Sequence, residues 1–112
     1  MESNVVFLTE GQENYTNIQS NNQKKLLLSI EDEIIANFCE LNGGMELAMP
    51  MIRKQYEKLE IDFKNPSKAD LLKIANKLAD LTEQIRGEEI AREERRIFKE
   101  LLSKIENCTT SM

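Results

Sequence analysis

The feature that most constrains this chain is the spacing of its apolar residues, which recur every three or four positions between residues 65 and 87. This segment reads NPSKADLLKIANKLADLTEQIRG. Pro66 and Ser67 precede the apolar positions, and Asp70 follows Ser67 at the spacing of a helix capping box. The pattern predicts a helix that is apolar on more than one side and that ends, or bends, at Gly87. We expect it to be the central helix of a bundle.

A second capping-box pattern lies earlier in the chain, in the segment Ser-Ile-Glu-Asp that starts at Ser29. The apolar residues that follow it recur at helical spacing as far as Leu41. Glycine adopts the left-handed conformation at helix ends without a steric penalty, so Gly43 and Gly44 predict a helix end. The sequence therefore predicts a helix from Ser29 to the two glycines.

Two more helices are predicted on either side of the central one. Proline is tolerated in the first turn of a helix, so Pro50 predicts a helix from about residue 49 to residue 59. Residues 45 to 48 are then expected to form a turn or a kinked first turn. The last helix is predicted from about residue 88 to residue 106, because its apolar residues again recur at helical spacing and its charges alternate in sign.

The composition agrees with an all-α fold. The chain of 112 residues has no Trp, two Tyr and four Phe, and its only short run with strand character is residues 5–8. We predict a small helical bundle of four or five helices over residues 26–107, with a flexible N-terminal arm at residues 1–25 and a flexible tail at residues 108–112. An alternative is that residues 5–8 or 24–28 dock on the bundle or on a partner.

The charge distribution and the N-terminal residues bear on the compartment. The net charge is −5, and residues 1–50 carry two basic against eight acidic side chains. The N-terminus MESNVVFL lacks the basic region and the long apolar run of a signal peptide, and no stretch approaches the length of a membrane span. Cys39 and Cys108 form no motif, so reduced thiols are expected. These features predict a cytoplasmic protein that does not bind membranes.

Many catalytic mechanisms are disfavoured because the chain contains no histidine. Histidine phosphotransfer, activation of a serine or cysteine nucleophile, and di-iron sites built on Glu-x-x-His all need that side chain. No glycine-rich phosphate-binding motif is present either. We therefore expect no enzymatic activity, and we infer no catalytic residue, metal, cofactor or small-molecule ligand.

The segment GGMELAMPMIRKQY, at residues 43–56, can be interpreted in two ways. Its methionines either fill the core beside a bend or form an adaptable surface that receives a partner helix. The functional hypothesis is a small cytoplasmic adaptor or regulatory subunit that binds a protein partner or forms a homodimer. The candidate binding residues lie on the acidic first helix and in the methionine segment: Glu31, Glu33, Glu40, Met45, Met49 and Met51.

The alternative function is a nucleic-acid-associated transcriptional regulator that uses the basic residues of the last two helices. Those residues are Lys68, Lys73, Lys77, Arg92, Arg95 and Arg96. Nucleic-acid binding is not favoured, because Asp70 and Asp80 lie among the lysines and repel phosphate. The mixed run from Arg92 to Arg96 is interpreted instead as a solvated helix face.

Residues 40–62, ELNGGMELAMPMIRKQYEKLEID, and residues 65–93, NPSKADLLKIANKLADLTEQIRGEEIARE, together resemble small all-helical modules of archaeal and some bacterial proteins. The resemblance rests on a glycine-containing turn before a short helix and on a second helix that opens with SKADL and ends near GEEIA. It covers roughly the last two thirds of the chain. It implies a prokaryotic cytoplasmic helical domain with a regulatory role, and it identifies no functional residues.

Overall fold

The computed structural model describes the backbone of residues 11–110 and the side chains of residues 22–105. This part of the chain forms four α-helices and no strand. The helices are α1 (Gly11–Leu41), α2 (Met45–Leu59), α3 (Lys68–Arg86) and α4 (Glu88–Thr110). The all-α bundle predicted from the sequence is thereby confirmed, with four helices in the described residues.

Helix α1 begins earlier than the sequence predicts. Ser29 lies inside the helix, which starts at Gly11, so the prediction that Ser29 caps it is wrong. Polar residues such as Asn, Gln and Ser have only modest penalties inside a helix, and the segment before Ser29 contains no proline to stop it. Residues 1–10 of the predicted arm lie outside the described residues, and the flexibility of residues 11–25 stays a prediction. Residues 108–110 of the predicted tail lie in α4, which extends past the predicted end at residue 106, and residues 111–112 lie outside the described residues.

The two glycines end α1 as predicted. Gly43 and Gly44 both have positive φ angles, and the Gly44 amide donates to the Cys39 carbonyl at 2.7 Å. A hydrogen bond across six residues with a left-handed glycine inside it is the Schellman arrangement, which satisfies a carbonyl at the helix end. From α3, the Arg86 side chain donates to the Leu41 carbonyl at 2.7 Å. Two separate donors therefore fix the C-terminus of α1.

Helix α2 extends one turn further toward the N-terminus than predicted. It begins at Met45, so Pro50 lies inside it rather than in its first turn. Proline removes the amide that would donate to the Glu46 carbonyl. Both Glu46 and Pro50 are exposed, so water can bind that carbonyl. Solvent exposure thus explains why the helix tolerates the proline.

Helix α3 has the predicted capping box. The Asp70 amide donates to the Ser67 hydroxyl at 3.0 Å, and the Ser67 amide donates to the Asp70 carboxylate at 3.0 Å. Gly87, with φ of 104°, separates α3 from α4. Its amide donates to the Glu83 carbonyl and its carbonyl accepts from the Ala91 amide. One glycine therefore ends one helix and starts the next.

Helices α1 and α3 form the centre of the bundle. Each contacts all three other helices, whereas α2 and α4 do not contact each other within the described residues. The prediction that α3 is central is confirmed, and α1 shares that position. Burying each large aliphatic or aromatic side chain contributes about 1.5 to 3 kcal/mol. The fully buried members include Ile30, Ile34, Phe38, Ile52, Leu71, Ile74 and Leu78.

Candidate functional site

The acidic residues of the predicted binding surface do not share one environment. Glu33 and Glu40 are exposed on α1, as a binding surface requires, but Glu31 is 2% exposed. Including Glu31 in that surface was wrong, because it lies one residue after Ile30 and three before Ile34 on the core side of α1. Glu31 is a buried carboxyl group and cannot contact a partner in this structure.

Glu31 is held by a tyrosine from the neighbouring helix. The Tyr56 hydroxyl donates to its Oε2 atom at 2.7 Å, and both side chains are buried. Burial raises the pKa of Glu31 to about 6, although the Tyr56 hydrogen bond opposes this rise; Asp32 and Asp62 add smaller upward effects. Burial and the Glu31 carboxylate also raise the pKa of Tyr56. The contact joins α1 to α2 and satisfies one buried carboxylate oxygen.

The three methionines lie in different places on α2. Met45 is 66% exposed, whereas Met49 and Met51 are partly buried and pack against the core. Met49 and Met51 are two residues apart, which places them about 200° apart around the helix. Part of the methionine segment therefore packs on the core and part of it is exposed to solvent. That the exposed part receives a partner helix stays a prediction.

Met49 lines a surface groove that we call the methionine groove. Its apolar lining is completed by α2 and the following loop, and its volume is about 500 Å³. The Phe63 ring packs edge-on against the Tyr56 ring, with centroids 5.2 Å apart, and remains 46% exposed. The apolar lining residues are Met49, Ile52, Tyr56, Ile61 and Phe63, and the charged lining residues are Arg53, Glu57 and Glu60.

A second buried carboxyl group, Glu94, was missed by sequence reasoning, which assigned it to a solvated face. It is 0% exposed on α4. Ala91, Glu94, Phe98, Leu101 and Ile105 are all buried and follow one another at spacings of three and four residues. This regular stripe, read across the charged run, is the signal that could have identified Glu94 as a core position.

Glu94 has no hydrogen-bond donor among the described residues at either carboxylate oxygen. Burial is the largest effect on the Glu94 carboxyl and raises its pKa. The nearby Thr82 hydroxyl and Arg95 have smaller effects in the opposite direction. Thr82 is itself fully buried on α3 and accepts a hydrogen bond from Asn42 at 3.1 Å. Asn42, Thr82 and Glu94 therefore form a buried polar layer at the end of the bundle that contains the α3–α4 junction.

The arginines of the alternative nucleic-acid surface are bound by carboxylates. Arg95 contacts Asp80 at 2.6 Å and Glu83 at 3.0 Å, both on α3. Arg96 contacts Glu93 and Glu100 on its own helix. These intramolecular pairs already satisfy the guanidinium donors that would have to contact phosphate. The arrangement gives the nucleic-acid alternative no additional support.

A further groove of about 420 Å³ lies between α3 and α4. Its lining includes the apolar residues Leu72 and Phe98 and the basic residues Lys68 and Lys99. Leu72 is 42% exposed, so this groove offers a second apolar surface for comparison with the methionine groove.

Comparisons with known proteins identify no relative: no family model, no curated protein and no solved structure matches this chain. The described side chains contain no group of three His, Cys, Asp or Glu residues that could hold a metal ion. Cys39 is a free, buried thiol whose pKa is raised by burial. In the part of the chain that the structure describes, no helix combines the length and apolarity of a membrane span.

Proposed function

We propose that this protein is a non-catalytic protein-interaction module, a small cytoplasmic adaptor or regulatory subunit, that binds an apolar helix of a protein partner in the methionine groove. The observation that carries the proposal is the exposure of large apolar side chains beside this groove. Met45 is 66% exposed one turn before Met49, and Phe63 is 46% exposed at the groove itself. Exposed apolar clusters of this kind are typical of interaction sites.

The shape and residue types of the groove favour a helix as the ligand. A groove of about 500 Å³ accommodates one or two large side chains, such as those that an amphipathic helix presents at spacings of three and four residues. Methionine side chains adapt to different apolar shapes because they are unbranched and flexible. The charged lining residues are one arginine and two glutamates, so a partner helix with basic residues beside its apolar stripe fits best.

The proposal can be tested with surface variants of two different grooves. Phe63→Ser removes exposed apolar surface from the methionine groove and Met45→Ser removes it from the helix turn before Met49, while Leu72→Ser removes it from the α3–α4 groove and is the matched control. A partner is first isolated with the tagged chain from its source cells, then purified and titrated into each variant by calorimetry. We expect the two methionine-groove variants to weaken binding at least about tenfold, which corresponds to about 1.4 kcal/mol.

Self-association is the other outcome of that experiment. If the second copy of this chain is the partner, light scattering detects a dimer that Phe63→Ser dissociates and Leu72→Ser leaves intact. Equal effects of all three variants, or binding that none of them changes, would overturn the assignment to the methionine groove. A chain that remains monomeric and binds no protein would contradict the interaction function itself.

A further inference from the structure

The α3–α4 groove differs from the methionine groove in the charge of its lining. Its basic lining residues are Lys68, Arg95 and Lys99, and none of the described residues that line it is acidic. The methionine groove instead has Glu57 and Glu60 beside a single arginine. Because the whole chain has a net charge of −5, the α3–α4 groove is a basic surface on an acidic protein.

The three basic residues lie at different positions along the groove. The lining extends from Lys68 to Asn76 on α3 and from Arg95 to Ser103 on α4, which is about 12 Å along each helix axis. The two helices are joined at Gly87 and contact each other, so they run in opposite directions. Lys68 and Arg95 therefore lie at opposite ends of the groove, and Lys99 lies between them.

The charge of Lys99 is available to a ligand, whereas that of Arg95 is not. Arg95 is held by Asp80 at 2.6 Å and by Glu83 at 3.0 Å. Lys99 is exposed and takes part in none of the ion pairs between described side chains. The residues four positions before and after it are Arg95 and Ser103, which supply no carboxylate. The Lys99 ammonium group can therefore pair with a carboxylate of a ligand.

The apolar part of the groove is accessible from solvent. Leu72 on α3 is 42% exposed, and Leu102 on α4 is partly buried and packs against the core. Phe98 and Ala75 also line the groove and are buried. A ligand in the groove thus meets two leucine side chains and an exposed lysine, and it does not have to reach a buried polar atom.

We propose that the α3–α4 groove binds an acidic amphipathic helix of a protein partner. Apolar side chains at spacings of three and four residues pack on Leu72 and Leu102. A glutamate or aspartate beside that apolar stripe pairs with Lys99. This site is separate from the methionine groove, since the two grooves share no lining residue and favour helices of opposite charge.

A protein helix fits this groove better than a nucleic acid does. Phosphate binding needs several available cations, but Arg95 is already bound by Asp80 and Glu83, which also repel phosphate. Phe98 is 3% exposed, so its ring offers no free face on which a base could stack. The exposed leucine instead favours an apolar side chain of a partner.

The test is a titration of the full chain with a synthetic acidic helix, followed by amide chemical shifts. The probe is a capped peptide of about 18 residues, long enough to form a helix, with a leucine stripe flanked by glutamates and with alanine on its outer face. The matched control peptide has glutamine in place of every glutamate. We expect one glutamate peptide to bind per chain, with shifts at Leu72, Lys99 and Ser103. The glutamine peptide should bind at least about fivefold more weakly, and added salt should weaken only the glutamate peptide.

Surface variants then test the two contacts separately. Leu72→Ser removes the exposed apolar side chain, and Lys99→Glu reverses the available charge. We expect each variant to weaken binding of the glutamate peptide, at least about fivefold for the first and at least about tenfold for the second. Phe63→Ser in the methionine groove and Lys104→Glu, at an exposed lysine of α4 outside the groove, are the matched controls. Amide spectra confirm that all four variants keep the fold.

Several results would overturn the proposal. One is the absence of saturable binding to the wild-type chain, and another is equal binding of the glutamine peptide. Unchanged binding to Leu72→Ser and Lys99→Glu, or shifts confined to Met49 and Phe63, would contradict the assignment to this groove. A DNA duplex that produces the same shifts and displaces the peptide would show that the groove binds nucleic acid instead.

Discussion

Two glutamates, Glu31 and Glu94, are buried in the bundle, and they differ in their hydrogen bonds. Both are at most 2% exposed and both lie on core-facing stripes of long helices. Glu31 receives a hydrogen bond from Tyr56 at 2.7 Å, whereas neither oxygen of Glu94 has a donor among the described residues. The difference lies in what the neighbouring helix presents: a phenol in the first case and only a threonine hydroxyl near the carboxyl group in the second.

This comparison separates a buried carboxyl group that accepts a hydrogen bond from one with no donor at hydrogen-bond distance among the described residues. A buried carboxyl that accepts a hydrogen bond from another helix helps to fix how the two helices pack. A buried carboxyl without a donor destabilises the fold unless it is protonated or finds a ligand. Glu31 therefore helps to fix the packing of two helices, and Glu94 is a buried carboxyl group that destabilises the fold when it is ionised.

The largest expected effect comes from breaking the Glu31 contact at Tyr56. Tyr56→Ala removes a buried ring and the hydrogen bond together, and we expect the free energy of unfolding to fall by about 3 to 5 kcal/mol. Tyr56→Phe removes only the hydroxyl and leaves Glu31 without its donor, so a loss of about 1 to 3 kcal/mol is expected. Urea denaturation measures both. A Tyr56→Phe variant as stable as the wild type would show that this contact does not stabilise the fold.

At Glu94, the second buried glutamate, we expect a substitution to stabilise the fold rather than to destabilise it. Glu94→Leu replaces an unpartnered buried carboxyl by an apolar side chain of similar size, so the free energy of unfolding should rise by about 1 to 3 kcal/mol. Urea denaturation at neutral pH provides the measurement, and Glu31→Leu is the matched control. Glu31→Leu also leaves the Tyr56 hydroxyl without its acceptor. It should therefore raise the free energy of unfolding by less than Glu94→Leu does. Equal gains at both positions would contradict the distinction between the two carboxyl groups.

The pH dependence of stability should contain a contribution from each glutamate. The pKa of Glu31 is raised from the ordinary value of 4.5 to about 6 in the fold. The folded state therefore binds the proton more tightly than the unfolded state does, and stability is lost as the pH rises through this interval. We expect the Glu31 contribution to fall by about 1 to 2 kcal/mol between pH 4.5 and values above 6.

The variant Glu31→Gln isolates that contribution. Subtracting its unfolding free energy from that of the wild type at each pH cancels the other carboxyl groups, including Glu94, whose pKa is also raised. The difference should decrease between pH 4.5 and 6 and stay constant at higher pH. A difference that increases with pH would mean that the Tyr56 hydrogen bond outweighs desolvation.

The smallest effect on stability is expected at an exposed ion pair, which serves as a reference for the effects at the two buried glutamates. Arg92 and Glu88 on α4 are 3.6 Å apart, and both side chains are more than two thirds exposed. Arg92→Ala should change the free energy of unfolding by less than about 0.5 kcal/mol, since exposed pairs are screened by solvent. Thermal denaturation at low and high salt checks this. A larger, salt-sensitive loss would show that this exposed ion pair stabilises the fold by more than solvent screening allows.

Local sequence signals predicted helix ends well where they depended on adjacent backbone atoms. Ser67 and Asp70 form the expected capping box, and Gly43 and Gly44 end α1 as expected. The same pattern at Ser29 was misleading, because a capping box is only possible where the helix has not already begun. Pro50 was misplaced for a related reason, since an exposed carbonyl can bind water instead of the missing amide.

The candidate sites were harder to predict, because burial depends on neighbouring helices. Glu31 lies on an apolar stripe, but an acidic residue at a helix start is also explained by the helix dipole, and the sequence does not choose between them. Glu94 lies in a run of five charged residues that hides its position on the stripe from Ala91 to Ile105. The methionine groove needs Phe63 from the loop after α2, and no periodicity links that residue to Met49.

By itself, the sequence determined the all-α class, the two helix ends at glycines and the α3 capping box, because these depend on spacing and on contacts within a few residues. Only the tertiary structure decided that Tyr56 reaches Glu31 and that Glu94 is buried with no donor at hydrogen-bond distance among the described residues. Tyr56 and Glu31 are 25 positions apart in the sequence and lie on different helices. A hydrogen bond between helices depends on how the helices pack, and packing is a property of the whole bundle rather than of any one segment.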